Sequence, residues 1–203
     1  DFDNDNKLDV VHIDSNIANA NWYKNMGNGT FTMQQLLITS NQNIRDVKVI
    51  DTNNDGFKDV LLTVRGENKI VWKNNNGLGV FGSENHITHI CYNPNRVDYG
   101  DIDNDGDYDL VSSSGSDGKL AWYKNVDGIG NYTQPQQVIV QNLVSASNAT
   151  LGDMDNDGDL DFVITYSTST NISVFKNSGA ASYVIQSLST GTVGVQDFAL
   201  ADF

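Results

Sequence analysis

Short apolar runs alternate with polar, turn-forming stretches along this chain, and none keeps a helical period. The first set is Val10-Val11-His12-Ile13, Val60-Leu61-Leu62-Thr63-Val64, Leu110-Val111-Ser112 and Phe162-Val163-Ile164-Thr165-Tyr166. Such β-branched, apolar runs predict strands covered on both faces. After a turn (Ser15-Asn16, Gly66 to Asn68, Gly115 to Gly118, Ser167 to Thr170), a second set ends in an aromatic residue and Lys-Asn. Its members are Trp22-Tyr23-Lys24-Asn25, Val71-Trp72-Lys73-Asn74, Trp122-Tyr123-Lys124-Asn125 and Val174-Phe175-Lys176-Asn177. A glycine turn and an aromatic residue (Gly29-Thr30-Phe31, Gly79-Val80-Phe81, Gly130-Asn131-Tyr132, weakest in Ala181-Ser182-Tyr183) lead into a third set. That set is Gln35 to Ile38, His86 to Thr88, Gln137 to Val140 and Tyr183 to Ile185. Val47 to Ile50, Arg96 to Tyr99, Ala149 to Leu151 and Phe198 to Ala201 form a fourth.

The order recurs from Asp1, Asp51, Asp101 and Asp153, and Asp202-Phe203 repeats the opening. The repeats are therefore 1–50, 51–100, 101–152 and 153–201, with 202–203 starting another. Four short strands about every 50 residues predict an all-β fold, a β-propeller of four-stranded antiparallel blades. The aromatic column Tyr23, Trp72, Tyr123 and Phe175 is assigned to packing between blades, because a packing residue must recur in each unit.

Each repeat opens on an acidic stretch of the form D-x-[DN]-x-D-[GN]-x-x-D. Carboxylates this dense repel one another unless a cation neutralises them. Oxygens at positions 1, 3, 5 and 9, with the backbone carbonyl of position 7, suit one calcium ion; magnesium, with its octahedral demand, suits the loop less. The sharp turn at position 6 favours the positive φ that Gly56, Gly106 and Gly158 adopt freely and Asn6 tolerates. An EF-hand is excluded, because position 12 (His12, Leu62, Ser112, Ile164) never supplies the bidentate Glu and strands follow instead of helices.

Charge agrees with this picture. The net charge is −14, and fifteen of the 26 acidic residues stand at ligand positions, so four divalent ions at +2 each would bring it to −6. The acidic balance argues against nucleic acid and anionic membranes, and no apolar run is long enough to span a bilayer. Cys91 is the single cysteine, so no intrachain disulfide forms; a buried apolar role suits it. Calcium sites of modest affinity fill where calcium is near millimolar, which predicts an extracellular, secreted or surface, location. No signal peptide is visible; one would lie upstream, since the chain begins inside a repeat.

The acidic loops, the Trp-Tyr-Lys-Asn strand and the Gly27-Asn28-Gly29-Thr30-Phe31 turn resemble the FG-GAP repeats of integrin-α-like propellers and their bacterial VCBS relatives. The resemblance covers the whole chain in four copies. It implies up to four calcium ions, at Asp1/Asp3/Asp5/Asp9, Asp51/Asn53/Asp55/Asp59, Asp101/Asp103/Asp105/Asp109 and Asp153/Asp155/Asp157/Asp161. Lys7, Phe57, Asp107 and Asp159 would add backbone carbonyls. Asn53 in place of an acid and Asn6 in place of glycine mark loops 2 and 1 as the weaker sites. The family usually closes seven blades, so these four are expected to be a piece of a larger ring, the alternative being a four-bladed ring closed by the spare strand at Phe198 to Ala201.

Other chemistry was sought without success. The Gly-x-Gly turns have no helix behind them to meet a phosphate, and Ser116-Asp117-Gly118-Lys119 falls in a hairpin without partner motifs. His86 and His89, three apart on one strand, should point to opposite faces; His12 is read as structural. Four N-x-[ST] sequons at Asn28, Asn131, Asn148 and Asn171 match chance. No catalytic residues are assigned. The expected function is an adhesion or binding scaffold, with a lectin-like module or the propeller of a larger carbohydrate-active enzyme as alternatives. In a meander the calcium loops and glycine turns share one face. A protein or glycan ligand is expected on the other, where the variable loops Ser40 to Asn43, Cys91 to Asn95, Gln141 to Asn148 and Ser189 to Gly194 lie. Tyr92 and Asn93 to Arg96 are the first contacts to test.

Overall fold

The computed structural model describes the whole chain except residues 15, 41–42, 180–182, 192, 195–197, 199 and 201–203. The expected strand at Phe198 to Ala201, the repeat start at 202–203 and parts of the Ser15, Ser40–Asn43, Ala181 and Ser189–Gly194 segments lie outside the described residues.

The described residues form strands and one short 3-10 turn at Arg65–Glu67. Two compact units divide the chain: Asp1–Pro94 with Asp127–Asn131, and Asn95–Val126 with Tyr132–Phe203. In the first unit β1 (Val10–Asp14), β2 (Asn19–Asn25) and β3 (Phe31–Thr39) make a three-stranded sheet. Beside it, β4 (Ile44–Ile50), β5 (Asp59–Val64), β6 (Lys69–Asn75) and β7 (Phe81–Thr88) make a four-stranded one. The second unit repeats the four-stranded pattern twice. One sheet is β8 (Pro94–Gly100, which begins at the unit boundary), β9 (Asp109–Ser114), β10 (Lys119–Tyr123) and β11 (Gln137–Val140). The other is β12 (Ala146–Gly152), β13 (Asp161–Tyr166), β14 (Asn171–Asn177) and β15 (Tyr183–Ser189). Neighbouring strands are consecutive in sequence, so the sheets are meanders. Each four-stranded sheet joins the fourth strand of one repeat to the first three of the next, so sheets and repeats are offset by one strand.

The unbroken apolar runs have their cause in this packing. β5 and β9 are buried at every position, because both faces of the sheet are covered. In the first unit Ala20, Trp22, Leu37 and Ile38 pack with Val60, Leu62, Val71 and Phe81 from the adjacent sheet. In the second, Val111 and Leu120 pack with Phe162, Ile164 and Phe175. The outermost strands are left mostly to solvent, as β15 shows with six of its seven residues exposed.

Two expectations need correction. Val10 pairs with Tyr23, Val60 with Lys73, Leu110 with Tyr123 and Phe162 with Phe175. Lys73 therefore stands in the aromatic column, and Trp72 aligns with Trp22 and Trp122. The signature of repeat 2 is Asn74-Asn75, not Lys73-Asn74. Aligning on the letters Lys-Asn slipped that repeat by one residue, which moves every side chain to the other face. Tyr123 and Phe175 are buried as expected, whereas Tyr23 is only half-buried and Trp22 does the packing.

The second correction concerns the histidines. Along β7, Ile70 faces Thr88 but Val71 faces His86, so Ile87 is an extra residue in a bulge. Ile87 and Thr88 are both buried, and the His86 and His89 rings lie 4.4 Å apart on the same side. A bulge breaks the two-residue alternation on which the expectation rested. No third acidic, cysteine or histidine ligand joins them among the described residues.

Candidate metal centres

The four acidic loops share one architecture, and it begins with backbone N–H groups. The position 1 carboxylate bridges positions 5 and 6: Asp1 accepts from Asp5 N (3.2 Å) and Asn6 N (2.7 Å). Asp51 accepts from Asp55 N and Gly56 N, Asp101 from Asp105 N and Gly106 N, and Asp153 from Asp157 N and Gly158 N, all within 3.2 Å. Position 5 then accepts from the N–H of position 7, at 2.9 to 3.1 Å in every loop. These bonds curl the loop so that its carboxylates converge.

The curl needs left-handed residues at two positions. Position 6 is left-handed in Asn6 and in all three glycines, so Asn6 preserves the turn. Position 4 is left-handed too, with φ between 54° and 61° in Asn4, Asn54, Asn104 and Asn156. Asparagine is among the few residues that tolerate this region. Its recurrence at position 4 is a signal of the turn that the sequence itself carries.

Position 9 does a second job. Asp59 accepts from Thr52 N at 3.0 Å and from Asn75 N at 2.8 Å; Asp9, Asp109 and Asp161 make the corresponding pairs. Both carboxylate oxygens thus fasten the start of the loop to the end of the following hairpin. Burial pushes the Asp109 carboxyl up to about 7 and that of Asp59 up to about 6, against the backbone N–H bonds that hold them down. Asp161 is pushed the same way by burial.

The asparagine that closes each hairpin was also missed. Asn75 Nδ2 donates to Lys58 O (3.0 Å) and to Phe2 O (2.9 Å) in the preceding loop, and its Oδ1 accepts from Gly77 N (3.2 Å). Asn177 reaches Ile102 O likewise. The loops and glycine turns meet, as a meander requires: Asn4 Nδ2 donates to Gly77 O at 2.9 Å, and a Cβ on Gly77 would strike the Phe57 ring. Asn75→Ala should destabilise the fold by about 2 kcal/mol, since it strands buried polar groups; urea denaturation would show it as an earlier midpoint.

The residues fit a hard divalent cation. Carboxylate oxygens of Asp1, Asp3 and Asp5 lie within 4.8 Å of one another, as do those of Asp101, Asp103 and Asp105, and those of Asp153, Asp155 and Asp161. All these donors are oxygens, the set that calcium, magnesium and manganese prefer. Asp3 Oδ1 is buried without a hydrogen-bond partner. Asp9, Asp109 and Asp157 stand outside these clusters of three, and loop 2, with Asn53, forms none.

Lysines enter the same clusters. Lys24 Nζ pairs with Asp3 and, at 2.9 Å, with Asp5; Lys124 pairs with Asp103 and, at 2.9 Å, with Asp105; Lys176 lies 3.2 Å from Asp155. Lys24, helped by Lys7, holds the Asp5 carboxyl down to about 2, and Lys124 holds Asp105 below the usual range.

Position 2 is a plug in loops 1 to 3, whereas Met154 in loop 4 is exposed. Phe2, Thr52 and Ile102 are buried. Phe2 packs edge-on against Trp22 and Phe81 with centroids 6.0 and 5.2 Å away. In the second unit Ile102 replaces Phe2, and Tyr183, the counterpart of Phe81 by strand register, turns to Phe162 at 5.5 Å. A cavity of about 390 Å³ opens there, lined by Ile102, Asp103, Asn104, Trp122, Asp159 and Tyr183 among others.

Comparison with known families matches the FG-GAP-like repeat three times, over residues 1–62, 51–112 and 101–164. A comparison with curated protein sequences gives no match. Among solved structures, the chain is similar to an Agrocybe aegerita lectin described as recognising non-reducing terminal N-acetylglucosamine. That match has a TM-score of 0.64 and 20% identity over 94% of this chain and 50% of the lectin. It is also similar to a Penicillium chrysogenum α-L-arabinanase complexed with arabinobiose, with a TM-score of 0.60 and 14% identity over 88% of this chain and 58% of that one. The chain thus spans about half the length of these two structures, and the likeness is one of fold.

Proposed function

Because this chain belongs to the FG-GAP-like repeat family, we propose that it is a calcium-stabilised β-propeller segment of a secreted or surface protein, acting as a non-catalytic binding scaffold. The observation that carries the reading is the convergence of all-oxygen carboxylate groups in loops 1, 3 and 4, with Asp3 Oδ1 left unsatisfied. Asp1, Asp3, Asp5 and Asp9 would hold the ion in the first loop, and Asp101, Asp103, Asp105 and Asp109 and Asp153, Asp155, Asp157 and Asp161 in the third and fourth. Calcium, when bound, supplies the charge that neutralises these carboxylates. The chain's own part is to curl each loop by the position 1 and position 5 bonds and to clamp it by position 9. Asp105→Ala should weaken calcium binding at loop 3 by about tenfold or more, by loss of one charged ligand. Calorimetry reads this directly, and an unchanged isotherm overturns the assignment.

We propose that a ligand binds on the side of each unit opposite its calcium loops. Tyr92 is exposed there, and within the second unit shallow grooves of about 420 and 370 Å³ flank the loop at Leu143 and Val144. Rigid sheets carry these variable loops, the usual arrangement for recognition. Alanine substitution at Tyr92 and Val144 should reduce adhesion to cells or matrix, whereas loss of adhesion from Gly27 or Gly29 variants that still hold calcium would reverse the face.

One observation favours a lectin-like second reading. The cavity beneath Trp122 and Tyr183 joins aromatic surface to carboxylate and amide groups, a combination suited to a sugar ring, and the similar lectin structure is consistent with it. A glycan array including terminal N-acetylglucosamine and arabinose oligomers tests it. Binding that survives Trp122→Ala would sink this reading.

A further inference from the structure

We infer that Lys24, Lys124 and Lys176 are internal counter-cations that compete with the divalent ion and set the charge a cation must carry to enter loops 1, 3 and 4. The inference rests on the calcium reading above. Each lysine stands 21 residues after the position 3 aspartate it pairs with: Asp3–Lys24, Asp103–Lys124 and Asp155–Lys176. The same interval in repeat 2 joins Asn53 to Asn74, and there Asn53 Nδ2 donates to Asn74 Oδ1 at 3.3 Å. Acid and lysine are thus exchanged together for two amides. Lys73, one position earlier, points elsewhere and donates to Leu37 O at 2.7 Å. A lysine serving only to finish the strand would have no reason to change when position 3 changes.

The competition follows from charge and reach. In loops 1 and 3 the ammonium, 2.9 Å from the position 5 oxygen, stands where a cation would meet positions 3 and 5; in loop 4 Lys176 stands beside position 3. Two cations that close repel strongly, so entry of one expels the other. The lysine is tethered and therefore present at high effective concentration. Sodium brings the same single charge and gains little by replacing it, whereas calcium brings two. Loop 2 offers fewer carboxylates but carries no competing ammonium at this place.

The chain supplies its own test substitution, since asparagine already occupies the lysine position in repeat 2. Lys124→Asn, measured by calorimetry with calcium chloride and by Trp122 emission, should tighten calcium binding at loop 3 by about tenfold, because a competing charge is gone. In EDTA the same variant should melt earlier than wild type, and sodium chloride should recover part of that loss. Lys124→Arg, which keeps the charge, should resemble wild type, and Lys73→Met should leave calcium affinity unchanged. Equal or weaker calcium affinity in Lys124→Asn overturns the competition while leaving the calcium reading intact. No calcium binding by wild type or any variant overturns both.

Discussion

Stripping divalent cations with EDTA is expected to lower the melting temperature by about 8–16 °C, and calcium is expected to restore it. A site with a Kd of ~0.1 mM in ~1 mM calcium contributes about 1.4 kcal/mol to the folded state. Three such sites, in loops 1, 3 and 4, add about 4 kcal/mol, a large part of the whole stability of many domains. For a chain of this length each kcal/mol moves the midpoint by about 2–4 °C. The loops make the dependence steep, because the carboxylates that converge in them repel one another when nothing balances them. Differential scanning calorimetry in EDTA and in calcium decides the matter. A midpoint equal in the two overturns the stabilising role of the ion.

The second large effect concerns a residue whose role is only partly that of a ligand. Asp109→Ala should cost about 3 kcal/mol even in EDTA, because it strands two buried backbone N–H groups at once. Asp109 accepts from Ile102 N and from Asn125 N, and it is fully buried. Asp105, by contrast, is exposed; it accepts from Asp107 N within its own loop and pairs with the Lys124 ammonium, and it holds no buried backbone group. Asp105→Ala should therefore lose most of its effect in EDTA while Asp109→Ala keeps its own. Guanidinium titration with and without calcium separates the two, and equal losses in EDTA would refute the clamp.

The sequence by itself determined the repeat, the strands and the acidic loops. Those properties are written locally: two-sided burial leaves unbroken β-branched runs such as Val60 to Val64, and a curled loop needs Asp, Asn and Gly at set intervals. Even the left-handed position 4 was legible, since Asn4, Asn54, Asn104 and Asn156 stand there in every repeat. The tertiary structure alone decided which residues face one another. Cross-strand register placed Lys73 in the aromatic column, and Asn74, not Lys73, meets the Asn53 side chain, against the apparent Lys-Asn match. A bulge brought His86 beside His89, where alternation along an ideal strand would have parted them. The double duty of Asp9, Asp59, Asp109 and Asp161 also emerged only in three dimensions, because their partners lie on a hairpin end sixteen residues away. The spacing of a motif records what each residue can donate or accept; which partner receives it depends on strand pairing and on the packing of one sheet against the next.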